Sequence, residues 1–233
     1  MEEELRVSKT AYFVTLTYAN EPLTSFNEPT LVKKDVQNLL KRMRKQLKEK
    51  IKYYVVGEYG EKTYRPHYHM LLFNLSMSEL EAHAFILRHW KQGIVHLGAV
   101  TPKSIKYTLK YMLKSVEEYN GDGERQRPFA LMSKGIGKSY LESKKVDWHK
   151  KDISRNYVIN AGGYKLRLPR YYRVKIYNDQ ERKVQNEIYQ QAEIDKWQQL
   201  DDQQQAELLR NQYDVYKALE NRAEKIINHK KTI

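Results

Sequence analysis

The sequence predicts an α+β fold, with a central antiparallel β-sheet flanked by helices and a long helical C-terminal tail. Two observations lead to this prediction. Segments with the two-residue alternation of β-strands are interleaved with segments of helical periodicity over the first half of the chain. From about residue 178, by contrast, proline and glycine are absent, Gln and charged residues dominate, and apolar residues recur every three to four positions.

Four segments have the alternation and the β-branched and aromatic content that are typical of strands. They are residues 11–18, 51–59, 66–75 and 93–100. The short sequence GEKTYRP joins the second segment to the third and resembles a hairpin connection. The sheet is therefore predicted to be largely antiparallel.

Three segments before the tail have helical periodicity. LVKKDVQNLLKRMRKQLKEK (31–50) has one apolar face and one face of Lys and Arg, residues 76–90 follow a serine cap, and residues 101–119 open with Thr-Pro. The tail is predicted as a long helix, a helical hairpin or a coiled coil. We therefore divide the chain into a domain at residues 1–177 and a tail at residues 178–233.

The positive charge of the chain lies in the predicted domain. Of 42 Lys+Arg and 29 Asp+Glu, residues 178–233 hold 9 and 11, so residues 1–177 hold 33 and 18. The chain also has 19 tyrosines, mostly in the domain. Basic groups attract phosphates and aromatic faces stack on unpaired bases, so this composition favours a nucleic-acid partner. The alternative is a basic surface that only keeps the protein soluble.

Composition also excludes several classes of site and protein. The chain has no cysteine, so a disulfide scaffold and a thiolate metal site are both impossible. The N-terminus is acidic and lacks the apolar run of a signal peptide. No stretch approaches the roughly 18 apolar residues that a membrane span needs. We expect a soluble, cytoplasmic protein that does not associate with membranes.

Two histidines lie one residue apart in EYGEKTYRPHYHMLLFN (58–74). On a strand, His67 and His69 would share one face at a separation of roughly 6–7 Å, which suits two nitrogens that converge on one ion. Glu58, near the end of the preceding strand, would be a third ligand. This set fits Mg²⁺ or Mn²⁺ and does not exclude Zn²⁺ or Fe²⁺. The alternative is a surface or hydrogen-bonded histidine pair.

A second group of reactive side chains lies in KYTLKYMLK (106–114). On a helix, Tyr107, Lys110, Tyr111 and Lys114 would lie on one face. Nearby cations favour the phenolate form of tyrosine and so favour a nucleophilic role. The alternative is an amphipathic helix with half-buried tyrosines. Together with a metal ion, tyrosine nucleophiles would suit DNA strand cleavage by transesterification, which yields a 5′-phosphotyrosine and a free 3′-hydroxyl.

Three segments resemble the motifs of a known family, in the expected order. They are FVTLTY (13–18), VVGEYGEKTYRPHYHMLLF (55–73) and WKQGIVHLGAVTPKSIKYTLKYMLK (90–114). They resemble the replication initiators of microviruses, especially the gokushovirus branch, which are members of the HUH endonuclease superfamily. The resemblance covers roughly residues 12–175 and does not include the tail.

The resemblance implies a function for each reactive residue. It implies His67 and His69 as metal ligands with Glu58 as the third, and Tyr107 and Tyr111 as paired nucleophiles. It also implies that the histidine strand lies at the centre of the sheet and that the tyrosine helix lies over the metal. This arrangement agrees with the order of strands and helices above.

Other residues are predicted to contact DNA. Lys110, and less directly Lys114, would neutralise charge near the scissile phosphate. The candidates for binding the DNA strand come from the first motif, the basic helix and the strand connection: Thr15, Thr17, Tyr18, Arg42, Arg44 and Arg65. For the basic helix and Arg65 the alternative is a hydrated surface.

The sequence thus predicts a metal-dependent nicking and joining endonuclease that initiates rolling-circle replication. Its expected partners are single-stranded origin DNA, a host helicase and a host polymerase, in the cytoplasm of the host cell. The tail would dimerise, dock a helicase or brace the domain. The alternatives are a plasmid initiator, transposase or relaxase of the same superfamily, and a non-catalytic single-stranded DNA-binding protein.

Overall fold

The computed structural model describes the chain in five ranges, namely residues 1–19, 30–60, 64–109, 125–159 and 162–231. The chain separates into two compact units, Met1–Ser143 and Lys144–Ile233. The division lies before the predicted boundary at residue 177. Residues that precede this boundary contact the first tail helix, for example Ile153, whose carbonyl oxygen accepts a hydrogen bond from Gln185.

The first unit contains the predicted antiparallel sheet. Its five strands are β1 (Ala11–Tyr18), β2 (Lys52–Tyr59), β3 (Pro66–Phe73), β4 (Gly93–Ala99) and β5 (Phe129–Met132). The spatial order is β4-β1-β3-β2-β5, and every neighbouring pair is antiparallel. The α+β fold and the four predicted strands are confirmed, and β3 lies at the centre. The edge strand β5 was not predicted.

Helices flank this sheet on both faces. They are α1 (Glu2–Val7), α2 (Lys33–Gln46), α3 (Glu79–His89), α4 (residues 102–109 as far as it is described) and a 3₁₀ helix (Lys138–Glu142). A capping box begins α3, because Ser78 and Glu81 exchange hydrogen bonds with each other's backbone N–H. The residues of the predicted helix 101–119 that follow residue 109 lie outside the described residues.

The first face of the sheet packs against α2 and α3. Its strand residues are fully buried and include Val14, Leu16, Tyr68, Met70 and Leu72. The helices contribute apolar side chains at helical spacing, among them Val36, Leu39, Ala82 and Ile86. Burial of this apolar surface is the main source of stability for the unit.

The second face of the sheet has a smaller apolar cluster. It consists of Tyr54, Val56, Leu71, Phe73 and Ile105, and side chains of α1 pack against it. Ile105 belongs to α4, so this cluster fixes α4 against the sheet. The cluster covers only part of the face, and the polar residues of β2 and β3 lie beyond it.

Gly57 makes room for a large side chain in the first face. It lies opposite Tyr68 in the register of β2 and β3. A Cβ atom at this position would lie 3.1 Å from the side chains of Leu31, Tyr68 and Phe129. The absence of a side chain at residue 57 therefore allows the ring of Tyr68 to be fully buried between the two histidines of its strand. Tyr68 lies on the face opposite those histidines, as predicted.

The second unit contains a small hairpin and helices. Its elements are α5 (Lys145–Lys150), β6 (Tyr157–Ile159), β7 (Lys165–Arg167), α6 (Arg170–Ile176), α7 (Asp179–Gln198) and α8 (Asp202–Lys231). His149, Leu168, Ile176, Tyr177 and Gln185 are its buried residues. The predicted helical tail is confirmed as α7 and α8. None of the helices in the described ranges is long and apolar enough to cross a membrane.

Candidate metal centre

Glu58, His67 and His69 converge on the second face of the sheet. The antiparallel register places Glu58 of β2 directly opposite His67 of β3, and His69 follows on the same face. Glu58 Oε1 lies 2.8 Å from His67 Nε2 and 3.1 Å from His69 Nε2. One ligand atom from each residue lies within 4.8 Å of the others. The three side chains can therefore hold one metal ion, as the sequence predicted.

Each imidazole is oriented by a contact at its other ring nitrogen. His67 Nδ1 lies 3.1 Å from the carbonyl oxygen of Arg65, and His69 Nδ1 lies 3.1 Å from the hydroxyl oxygen of Thr15. A carbonyl oxygen only accepts, so His67 Nδ1 donates and its Nε2 keeps a lone pair for a metal. Outer partners of this kind fix the ring and its tautomer.

The carboxylate of Glu58 is buried but ionised. Only 2% of Glu58 and 6% of His69 is exposed. Burial by itself would raise the pKa of the Glu58 carboxyl, but hydrogen bonds from His67 and His69 outweigh it and hold the pKa below its usual value. The second oxygen, Oε2, is buried without a hydrogen-bond partner among the described residues. A cation would satisfy this oxygen, so the residues present fit a divalent ion.

Tyr107 of α4 lies next to this cluster. Its ring centroid is 5.3 Å from that of His69 and 6.2 Å from that of Phe13, in edge contacts with interplanar angles of 78° and 89°. Phe13 in turn stacks on His69 at 5.5 Å. The Tyr107 side chain is 42% exposed, so a substrate can reach its hydroxyl.

The start of α4 sets the position of Tyr107 on the helix. The N–H of Thr101 donates to Ser104 Oγ at 2.8 Å, and the N–H of Ser104 donates to Thr101 Oγ1 at 3.1 Å. Pro102 follows the cap, where its missing N–H costs nothing. Ile105 and Thr108 are buried, which turns Tyr107 toward the histidines. The predicted site residues Lys110, Tyr111 and Lys114 lie outside the described residues.

Two of the residues predicted to bind DNA lie on the same face as the cluster. Thr15 and Thr17 of β1 are in register with His69 and His67. Thr15 contacts His69 directly, so the structure gives it a partner within the protein. Arg65 has one as well, because its guanidinium group donates to the carbonyl oxygen of Tyr18 at 2.8 Å.

The other three DNA-binding candidates have contacts on the opposite side of the sheet. The Tyr18 hydroxyl donates to Asp35 and lies 2.8 Å from the hydroxyl of Tyr68. Arg42 donates twice to the carbonyl oxygen of His89, at 3.0 and 2.7 Å. Arg44 lies over a tyrosine ring of β2 at 5.2 Å. Binding of DNA by these residues stays a prediction.

Sequence reasoning missed the contacts that surround the histidines. The alternation in FVTLTY already places Phe13 and Thr15 on one face of a strand. It does not say which neighbouring strand they meet or in which register. Only the pairing of β1 with β3 brings Thr15 to His69, and this pairing joins residues 54 positions apart.

Comparison with known proteins places this site in a family. Residues 11–116 match the sequence model of the replication-associated protein ORF2 family. This segment belongs to that family. The replication-associated segment includes all of the metal cluster and both predicted tyrosines.

Two curated phage proteins are similar to the chain over a longer range. Replication-associated protein VP4 of Bdellovibrio phage phiMH2K is 31% identical over 179 residues, which are 69% of this chain and 56% of that protein. Replication-associated protein ORF2 of Spiroplasma virus 4 is 32% identical over 197 residues, 76% of this chain and 60% of that protein. The chain therefore spans less than two thirds of either relative. No solved structure matches the chain. The predicted resemblance to phage replication initiators is confirmed.

Proposed function

We propose that the protein initiates replication of a small phage DNA genome by metal-dependent, site-specific nicking and joining of single-stranded DNA. The observation that carries this proposal is the convergence of Glu58, His67 and His69 next to the exposed Tyr107. Similarity to replication-associated phage proteins supports the role in replication. The nicking chemistry is inferred from the site.

The metal cluster prepares the phosphate for attack. Glu58, His67 and His69 would hold a divalent ion, Mg²⁺ or Mn²⁺, which when bound polarises a phosphodiester oxygen. The chain contributes an ionised carboxylate and two imidazoles whose orientations are set by Thr15 and the Arg65 carbonyl. Because the outer contacts are already formed, little reorganisation is needed when the substrate binds.

Tyr107 is the proposed nucleophile of the first cleavage. Its phenolic oxygen attacks the phosphorus atom and gives up its proton to solvent. The bond between phosphorus and the 3′ oxygen breaks, and this oxygen takes a proton to become a free 3′-hydroxyl. The 5′ end stays attached as a phosphotyrosine, so the energy of the phosphodiester bond is retained for rejoining.

The second half of the cycle is assigned to Tyr111, one helical turn further on in the sequence. After a round of synthesis, Tyr111 cleaves the regenerated origin and the released 3′-hydroxyl attacks the first phosphotyrosine to close a circle. Lys110 and Lys114 would neutralise phosphate charge from the same helix face. This assignment rests on helical spacing, because these residues lie outside the described ranges.

The proposal includes the setting in which the reaction occurs. A host polymerase extends the 3′-hydroxyl and a host helicase separates the strands, in the cytoplasm of the host cell. The helical tail would provide a contact between two copies of the chain. The polymerase and the helicase follow from the proposed reaction, which needs a primer extended and a strand displaced.

A covalent adduct is the direct test of the nicking reaction. The full-length protein is incubated with Mn²⁺ and a labelled single-stranded oligonucleotide that carries the cognate origin, and adducts are separated on a denaturing gel. We expect an adduct with the wild type and with Tyr189→Phe, an exposed tyrosine of α7, and none with the Tyr107→Phe/Tyr111→Phe double variant.

Three outcomes would contradict parts of the proposal. An adduct of wild-type yield from the double variant would refute tyrosine attack. An adduct that forms equally in EDTA would refute the metal requirement. Binding of the oligonucleotide without any adduct would favour the non-catalytic single-stranded DNA-binding protein.

A further inference from the structure

The second unit carries a basic surface rich in aromatic side chains. Residues 144–177 contain ten Lys+Arg but only two Asp+Glu, together with five Tyr and one Trp. The family match ends at residue 116, so this segment lies beyond it. Its charge and its rings are the two features that proteins use to bind unpaired nucleic-acid strands.

The hairpin of β6 and β7 arranges part of this segment on one face. In the antiparallel register Tyr157 lies opposite Arg167, and Ile159 lies opposite Lys165, so these four side chains share a face. All three residues of β7 are exposed. Lys165 Nζ lies 4.7 Å from the ring centroid of Tyr157. A cation and an aromatic ring are thus side by side on an open two-stranded ribbon.

The same alternation continues from the hairpin onto α5. The ring of Tyr157 lies 5.5 Å from that of Trp148, and the guanidinium carbon of Arg155 lies 4.9 Å from the Trp148 ring. Cations and rings therefore follow one another in the order Arg155, Trp148, Tyr157, Lys165. We call these four residues, together with Arg167, the ribbon surface.

The charges of β7 are not neutralised by carboxylates. Within the described ranges, neither Lys165 nor Arg167 forms an ion pair, whereas Lys150 of the same unit pairs with Glu181 at 2.8 Å. Tyr164, at the start of β7, is 72% exposed. Phosphate groups can therefore approach the cations, and a base can stack on an accessible ring.

A packed core holds the ribbon surface in place. The N–H of Leu168 donates to the carbonyl oxygen of Asn156 at 3.1 Å, which closes the base of the hairpin. The buried Tyr177 donates through its hydroxyl to the carbonyl oxygen of Arg155 at 3.3 Å. The buried Gln185 donates to the carbonyl oxygen of Ile153 at 3.1 Å. A surface that is ordered before binding loses less entropy when it binds a strand.

We propose that the ribbon surface is a second binding site for single-stranded DNA, distinct from the metal cluster. Lys165 and Arg167 would contact phosphates, while the rings of the surface and Tyr164 would stack on bases. The exposed rings favour unpaired strands over duplex, because bases in a duplex are already stacked on one another. Neither contact type reads base edges, so binding is independent of sequence. The site does not depend on the nicking reaction.

Binding without cleavage tests this site. The full-length protein is titrated in EDTA against a fluorescent oligothymidine that lacks any origin, and anisotropy gives the Kd. We expect Lys165→Ala/Arg167→Ala to raise the Kd about tenfold and to lower the slope of log Kd against log salt by about 1.4, or about 0.7 for each lost phosphate contact. Tyr164→Ala should raise the Kd at least about fivefold through lost stacking, with little change in slope.

Arg210→Ala/Lys217→Ala is the matched control. It removes the same two charges from exposed positions of α8, and Lys217 lies 5.8 Å from a tyrosine ring much as Lys165 does. Its Kd should stay within about twofold of wild type. A wild-type Kd for the ribbon variant, or an equal loss in both pairs, would overturn the proposal. Tighter binding of a duplex with the same length would also overturn it.

Photocross-linking locates the contact and guards against misfolded variants. A 5-iodouracil oligonucleotide is cross-linked to the wild-type protein, and the modified peptides are mapped. Adducts within residues 144–177 are expected, and adducts confined to residues 1–143 would contradict the proposal. If the wild-type protein formed no origin adduct at all, the nicking proposal would fail while this binding would remain measurable.

Discussion

The two faces of strand β3 show how one short strand can supply both stability and a reactive site. Tyr68, Met70 and Leu72 point to the first face and are fully buried against α2 and α3. His67 and His69 point to the other face, where they meet Glu58. Because side chains alternate along a strand, each face can be changed without changing the other.

The comparison also explains why a polar cluster can be buried here. Taking a carboxylate and an imidazole out of water destabilises the fold unless they are paired. Glu58 is paired with both histidines, and the apolar burial on the first face offsets the remaining cost. Variants of the two faces should therefore affect different measurements.

The largest effect is expected for His69→Ala, on the site face. Loss of a ligand should weaken Mn²⁺ binding by more than about 100-fold, the upper end of what loss of an outer hydrogen bond costs. Mn²⁺ at about 100 times its Kd should raise the free energy of unfolding of the wild type by about 2.7 kcal/mol, and this increase should vanish in the variant. Denaturant titration measures it. His96→Ala is the control, since His96 is exposed on the same face. An unaltered metal effect in His69→Ala would mean that the cluster is not the binding site.

Leu72→Ala should produce the opposite pattern, because Leu72 belongs to the first face. Removing a fully buried leucine side chain should lower the free energy of unfolding by about 2–5 kcal/mol. The affinity of the folded fraction for Mn²⁺ should be unchanged. Calorimetry of metal binding at low temperature, with denaturant titration in parallel, separates the two quantities. A large loss of metal affinity would show that the faces are not independent.

Thr15→Val should affect the site face to a smaller degree. The substitution keeps the shape but removes the hydroxyl that contacts His69 Nδ1. We expect metal affinity to fall about 10–100-fold with little change in unfolding free energy, because an outer partner orients the ligand without binding the metal. Thr17→Val, two residues along the same face, is the matched control and should keep wild-type affinity. Equal losses in both variants would point to a general effect on β1.

The smallest effect is expected at alkaline pH and belongs to the first face. Burial, together with the hydrogen bond to Tyr68, raises the pKa of the Tyr18 hydroxyl well above its ordinary value. Above about pH 10 the unfolded chain loses a proton that the folded chain retains, so the free energy of unfolding should fall as the pH rises. Urea titrations between about pH 8 and about pH 11 measure this slope. Tyr18→Phe should flatten it, whereas the exposed Tyr189→Phe should not; equal slopes would argue against the role of Tyr18.

Local sequence patterns were sufficient to predict the main features of the sheet and the metal cluster. The alternation in residues 66–75 places both histidines on one face, and the short connection from β2 brings Glu58 opposite His67. A tight connection fixes the register of neighbouring strands, so this contact is effectively local. The cluster could be predicted for this reason.

Long-range pairings could not be predicted in the same way. The pairing of β1 with β3 joins Thr15 to His69, and β5 joins the edge of β2 from residues 129–132. Hydrophobic periodicity indicates the type of an element but not its partner. The division between residues 143 and 144 depends on similar contacts, such as that between Ile153 and Gln185.

The cap of α4 has a consequence for how this chain can vary. Each residue added to a helix turns the following side chains by about 100° and moves them by about 1.5 Å. The hydrogen bonds between Thr101 and Ser104 fix where the helix begins, so Tyr107 faces the histidines only when two residues separate it from Ser104. Substitutions in this short segment leave the angle intact, whereas an insertion or deletion would rotate the phenol away from the site. Relatives that share the chemistry should therefore differ here in residue identity but not in length.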